Sequence, residues 1–348
     1  MNSNSTSNLR FGISMAIIIA MLIMLIVANL LIGSVDIDPL AVWQIVTGRG
    51  HENHVWEIII LNTRLPMIAT AALSGAALSV SGLLLQTAFN NPLAGPSILG
   101  VSTGASFGVA VVMLASGSAL WLTQSVGTYM TILIGALAGA ALLLIVLLVF
   151  STMVHSSTML LIVGILVSYL TSSAVSLLNF FATEEGVHSY VIWGLGNFSG
   201  VTPSQLPFFA FFIIATLALS TTLVKPLNAL LLGTRYAENL GVNTKRTRNS
   251  LLIITGILTA GVTAFCGPIS FIGLVVPHIA RLVLNTSNHN RLLPATMLAG
   301  ATVALLCTLI SVLPQQVGVI PINAITPIIG VPIIIYIIIN RKNIQYFN

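Results

Sequence analysis

The chain has 348 residues, of which 56% are hydrophobic and only 5% charged, giving a mean hydropathy of +1.04. Soluble domains carry roughly 25% charged residues, so this composition excludes a water-soluble globular protein and leaves a polytopic membrane protein. The two cysteines, Cys266 and Cys307, lie in apolar stretches at no metal-ligand spacing and read as small buried hydrophobes.

In chain order, the opening MNSNSTSN reads as a disordered stretch within a cytoplasmic tail over residues 1–10. Phe11 to Ile32 is 22 residues without a charge. It is long enough to span, and no A-x-A-like cleavage site follows, so it is expected to be a retained first helix. Between this run and the next, His51, Glu52, His54 and Glu57 form a sparse group near Trp43 and Trp56. A solvated loop or amphipathic surface helix is favoured there over a metal site. Further apolar runs follow at about Leu65–Phe89, Ile98–Ala115, Thr128–Phe150, Met159–Phe181, Leu206–Val224, Ser250–Cys266, Phe271–Leu284, Leu292–Leu313 and Ile325–Ile339. The expected fold is all-α, a single transmembrane domain of about ten helices over residues 1–348. Gly267-Pro268-Ile269-Ser270 is a break that a nine-span reading would treat as a kink.

Charge placement separates nine spans from ten, because short cytoplasmic loops collect Lys and Arg. Ten spans with both termini cytoplasmic put 10 of the 12 basic residues inside and leave Arg49 and Arg64 outside, while six of the seven acids fall outside. Nine spans would scatter the positive charges over both faces.

Small residues crowd the spans, as in the Gly75–Gly82 run and in Gly135-Ala136-Leu137-Ala138-Gly139-Ala140; such surfaces let helix backbones approach in lipid. Two uncharged breaks, Asn90–Ser97 and Gly267–Gly273, share a Gly-Pro, a Ser and a following Gly and are expected to face opposite sides. They suggest an inverted repeat and a water-facing or protein-buried position, since non-helical backbone at membrane depth is tolerated only there.

The longest polar interruption is KPLNALLLGTRYAENLGVNTKRTR, Lys225 to Arg248, which holds 5 of the 12 basic residues. Within the loop over 225–249, Thr234 is expected to cap a short helix, RYAENL, that Gly241 stops in the left-handed conformation. Glu238 is the one acid on this face, with an internal i, i+3 pair to Arg235 as its alternative partner. No acid lies within a span and no G-x-x-x-x-G-K-[ST] loop is present. Carboxylate-coupled transport and nucleotide hydrolysis on this chain are therefore not expected. If transport is active, energy enters from a separate subunit, and the 234–241 knob is where it would enter. A secondary transporter or channel is the alternative. No nucleophile, base and orienting group come together, so neither an enzyme nor a cofactor is expected. His278, beside Arg281 at a helix end, reads as structural rather than as a haem or metal ligand.

Six stretches now carry a resemblance: Arg64-Leu65-Pro66, the Gly75–Gly82 run, NPLAGPSILGVSTGAS at Asn91–Ser106, WGLGNFSG at Trp193–Gly200, AENLGV, and GPISFIGLVVPHIAR at Gly267–Arg281. Over about Arg64 to Pro332 the chain resembles the FecCD family, the permeases of type II ABC importers for iron–siderophores, haem and vitamin B12. The resemblance implies ten-helix subunits paired as a homodimer or as a heterodimer with a close relative, embedded in lipid of the bacterial cytoplasmic membrane. It also implies ATPase subunits below and a periplasmic or lipoprotein substrate-binding protein above, with no role for nucleic acid. It makes Arg235, Ala237, Glu238, Leu240 and Gly241 contacts for the ATPase. Asn91 and Leu93, together with Ser157 and Thr158, become a cytoplasmic gate, and Arg64 a docking residue for the binding protein. Two departures are visible: Met67 stands where the family's RLPR motif has its second arginine, and GVIPINAITPIIGVP replaces the last outer-loop pattern of relatives.

Overall fold

In the computed structural model, residues 2–50, 52–114, 128–154, 156–313 and 318–339 are described, and among them there is no strand. The helices are α1 (Asn2–Leu31), α2 (Pro39–Val46), α3 (His54–Ile58), α4 (Leu65–Ala88), α5 (Val101–Leu114), α6 (Thr128–Met153), α7 (Ser157–Phe181), α8 (Glu184–Gly194), α9 (Leu206–Thr221), α10 (Val224–Leu230), α11 (Thr234–Asn239), α12 (Thr244–Cys266), α13 (Ile272–Leu284), α14 (His289–Val312) and α15 (Ile322–Ile339). Among the described residues, six helices are long and apolar enough to span a membrane, seven if the pair α9 and α10, bent by 52°, is one span, and α5, α13 and α15 are shorter apolar helices. The ten runs of the sequence thus each become a helix, four of them, α5, α9, α13 and α15, too short to cross alone.

The short ones are short for a visible reason. α5 follows the Asn90–Gly100 break, with Asn90 at φ 46° and Gly100 at φ 83°, and α13 follows the Gly267–Phe271 break. At Gly267 the left-handed φ of 76° excludes a side chain. A Cβ there would also lie 2.5 Å from the Trp193 carbonyl. The backbone of α1 runs from Asn2.

Contacts divide the chain into two compact units, each built from separated segments. One draws on Met1–Val80, Asn197–Ala215 and Phe271–Tyr346, the other on Ser81–Gly196 and Thr216–Ser270, through their described residues. In the first unit, α1, α13, α14 and α15 pack together. The amphipathic α2 buries Ala41, Val42 and Ile45 against Ile37 and Ile60 while Trp43 stays exposed. Ser79 on α4 donates to the Thr296 carbonyl of α14 at 3.0 Å, where Gly75 and Gly300 meet backbone to backbone. In the second unit, α5 packs on α6, α7, α8 and α12. Its contact with α6 runs through Gly104 and Gly108 against Gly135 and Gly139; a Cβ on Gly104 would lie 2.6 Å from the Gly139 carbonyl, and one on Gly108 would overlap Gly135.

Candidate functional site

The polar loop folds into a knob, α11, held between two glycines. Gly233 enters at φ 96° and Gly241 leaves at φ 82°. The exit is a Schellman stop: the Gly241 amide donates to the Glu238 carbonyl at 2.9 Å and the Val242 amide to the Ala237 carbonyl at 3.0 Å. The entry differs from expectation. Thr234 is the first helical residue and no side chain caps the helix at Gly233, so the turn is closed at its end and not at its start. Asn243 then caps α12, its side chain accepting from the Arg246 amide at 2.9 Å.

Glu238 leans on this second cap: its Oε1 accepts from Thr244 Oγ1 at 2.8 Å. Among the described residues it makes no ion pair with Arg235. The knob's tie to α12 is therefore a hydroxyl–carboxylate bond, and Arg235 projects into water. Arg235, Glu238, Leu240 and Gly241 are exposed, while Ala237 is fully buried. Ala237, one of the expected contacts, sits on the inward face of this six-residue helix and anchors it. Beside the knob opens a cleft of about 680 Å³, lined by Thr234, Arg235, Glu238, Lys245 and Arg248 with Ser151 and Thr152 at the end of α6. Three cations against one carboxylate make it electropositive.

Arg248 was counted in the sequence only as one more inner cation, yet it closes a helix. Its Nη2 donates to the carbonyls of Ser151 and, at 3.2 Å, Val154, the orphan acceptors at the end of α6. Ser151 Oγ adds a bond of 2.8 Å to Asn249. The tie joins α12, one turn past the knob, to the C-terminus of α6. Arg64 does the same in the other unit. It ends a π-helical turn over Ile59–Arg64, and its guanidinium bonds the carbonyls of Leu30 and Leu31 at the end of α1 and that of Val35. Only 3% of its surface is exposed. Arg64, the expected docking residue, is held inward by the carbonyls it satisfies, and Gly33 leaves room for it.

The gate residues lie in two turns of the second unit. Asn91 Oδ1 accepts from the Leu93 amide at 2.9 Å, an Asx turn that leaves Leu93 exposed. Thr158 is exposed in the first turn of α7, and Ser157 is placed there by its backbone. The cap of that helix is Ser156, which accepts from the Met159 amide. On the opposite loop His54 meets Glu57 at 3.3 Å, His51 lies outside the described residues, and no group of three metal-ligating side chains occurs among those described. His278 is buried in α13.

An all-helical fold with membrane-length helices, broken half-length ones, and an electropositive knob on a polar loop defines a multi-pass membrane permease. Residues 21–340 match the FecCD transport family, and the chain belongs to that family. It is similar to the vitamin B12 import system permease BtuC of Citrobacter koseri, at 35% identity over 85% of each chain. It is similar to the molybdate import system permease MolB of Haemophilus influenzae at 33% identity over 96% of each. A solved structure described as an inward-facing metal-chelate type ABC transporter superposes with a TM-score of 0.80 at 30% identity, covering 96% of this chain and 99% of that one. The chain is thus a transport subunit of an ABC importer, a class that works with ATPase and substrate-binding partners in a dimeric arrangement.

Proposed function

We propose that the chain carries an iron–siderophore, haem or cobalamin-type chelate across the bacterial cytoplasmic membrane, with both termini cytoplasmic, using ATP hydrolysed on a separate subunit docked at α11. The observation that carries this reading is the knob itself. Arg235, Glu238, Leu240 and Gly241 are presented to solvent on a helix whose end is fixed by the Gly241 stop, next to an electropositive cleft. Asn91, Leu93, Ser157 and Thr158 serve as the gate in this reading. Arg64 contributes to binding-protein docking by setting the end of α1 rather than by direct contact. A dimer with a second copy completes the path.

The test uses the chain assembled with its ATPase and binding protein. Gly241→Val forces a β-branched residue into a left-handed φ, and Glu238→Arg reverses the one acid of the knob. Both variants are expected to insert and fold, because the knob is outside lipid, and to lose binding-protein-stimulated ATP hydrolysis and uptake together, by about tenfold or more. Stimulated hydrolysis at the wild-type level in both would remove α11 from coupling.

A further inference from the structure

The helix α2 of the first unit packs one face and leaves the other bare. Ala41, Val42 and Ile45 join Ile37 and Ile60 in a buried cluster, with Leu30, Leu31, Trp56 and Leu65 packed against it. Leu40, Trp43 and Val46 make a row at i, i+3 and i+6 on the opposite face, and all three are exposed, Leu40 and Trp43 each to 63%. From Pro39 to Gly48 there is no charge; Asp36 and Asp38 stand before the helix and Arg49 after it. The polar ends are closed from within. Asp38 accepts from the Leu40 amide at 3.4 Å, and the Thr47 hydroxyl is shared between the Trp43 and Gln44 carbonyls at 2.8 and 3.1 Å. The bare row therefore offers a partner apolar area and one indole N–H, and no ion.

The residues on which α2 packs fix its depth. Leu30 and Leu31 close α1, whose Leu9–Leu31 stretch is long enough to span and mostly exposed, with Ile13, Ile17, Met24 and Val27 on the surface that a span turns to lipid. Leu65 opens the 24 residues of α4 that match the hydrocarbon layer. Ile60 lies five residues before it, about 7 Å along the helix, and headgroups extend the hydrocarbon layer by about 5–7 Å on each side. The cluster under α2 thus lies level with the headgroups where α1 ends. Ile58 and Leu61, on either side of Ile60, are exposed apolar residues at the same level. Trp is the side chain this layer favours, because its ring is apolar while its N–H reaches a polar group. A docking protein would be expected to meet charge or unmet hydrogen-bond groups on this face, and the row has neither.

We propose that α2 is an interfacial helix whose partner is the bilayer itself: Leu40, Trp43 and Val46 seat in the headgroup–acyl boundary beside the end of α1 and hold the permease at a fixed depth there. The proposal rests on the membrane fold and not on which solute is carried. Its test uses the full chain in nanodiscs of phosphatidylcholine and phosphatidylglycerol, with Leu40→Cys, Trp43→Cys, Val46→Cys and Arg49→Cys each spin-labelled. The native Cys266 and Cys307 are buried and give a low background. At positions 40, 43 and 46 the ratio of collisions with dissolved oxygen to collisions with a water-soluble nickel chelate is expected to exceed that at 49 by about fivefold or more, as for a face sunk about 5–10 Å into the boundary. Leu40→Cys and Val46→Cys report the same face should Trp43→Cys fail to fold. Equal ratios at the four positions would overturn lipid seating. So would dipolar broadening between labels of two copies, which would assign the face to a second chain. Labels open to the chelate until a purified substrate-binding protein shields them would assign it to that protein and overturn the proposal too.

Discussion

The two units each contain a place where helix backbones touch, and they hold it differently. In the first, Gly75 of α4 meets Gly300 of α14, and Ser79 adds one O–H shared between the Gly75 carbonyl of its own helix at 2.7 Å and that of Thr296 across the gap at 3.0 Å. In the second, α5 and α6 meet through four glycines, Gly104, Gly108, Gly135 and Gly139, positions with no side chain to bond across. Lipid gives helices no hydrophobic reason to associate, so dispersion at short distance and a few hydrogen bonds must do it. The first crossing has its register set by a directional bond. The second has only shape, and its specificity lies in the absence of any Cβ. The same units use one more device in common, an arginine on the last carbonyls of a helix: Arg64 on α1 and Arg248 on α6.

The sharpest way to break the comparison is at the shape-only crossing. Gly108→Leu places a side chain where even a Cβ overlaps Gly135, with no flexible group to yield. We expect a loss of about 3 kcal/mol or more, read as failure to recover monodisperse protein in detergent. A folded Gly108→Leu protein would show that α5 can slide on α6. Next comes the pair of arginines. Arg64→Met strands carbonyls of Leu30, Leu31 and Val35, and Arg248→Met those of Ser151 and Val154. Losses of about 2–3 kcal/mol are expected for the first and about 1–2 for the second, measured as shifts in thermal unfolding. Arg64→Lys should recover little, because an ammonium cannot reach three carbonyls with the planar fork. If Arg248→Met proved the costlier, the greater burial of Arg64 would not be what sets its contribution. The smallest effect is Ser79→Ala, at about 1 kcal/mol; no change would mean that Gly75 and Gly300 hold the first crossing by shape as well.

Much of this architecture was legible in the chain. The ten apolar runs become helices because nothing but a helix satisfies the backbone in lipid, and Gly241 reads as a stop because its neighbours are helix formers and it alone tolerates a positive φ. Arg64 was not legible: a basic residue at the edge of a span turns outward to water or inward to helix-end carbonyls, and the sequence does not contain the position of α1. Thr234 was expected to cap the short helix, and it belongs to the first turn instead, with Gly233 at the entry. Glu238 was expected to seek either a partner protein or Arg235, and it bonds Thr244 because the Gly241 stop folds the chain back onto α12.

The π-helical turn before Arg64 has a consequence of scale. It joins α3 to α4 without a break, so one helix runs 35 residues from His54 to Ala88, which at 1.5 Å per residue is about 52 Å. A hydrocarbon layer is about 30 Å thick, and a typical tilt absorbs only a few ångströms of the difference. The 24 residues from Leu65 to Ala88 alone match that layer, so residues 54–64 are about 16 Å of extra length, packed against α2 through Ile60 and tied to the end of α1 by the guanidinium of Arg64. The helix that begins α4 is therefore a braced extension, held on one side by α2 and on the other by the carbonyls that end α1.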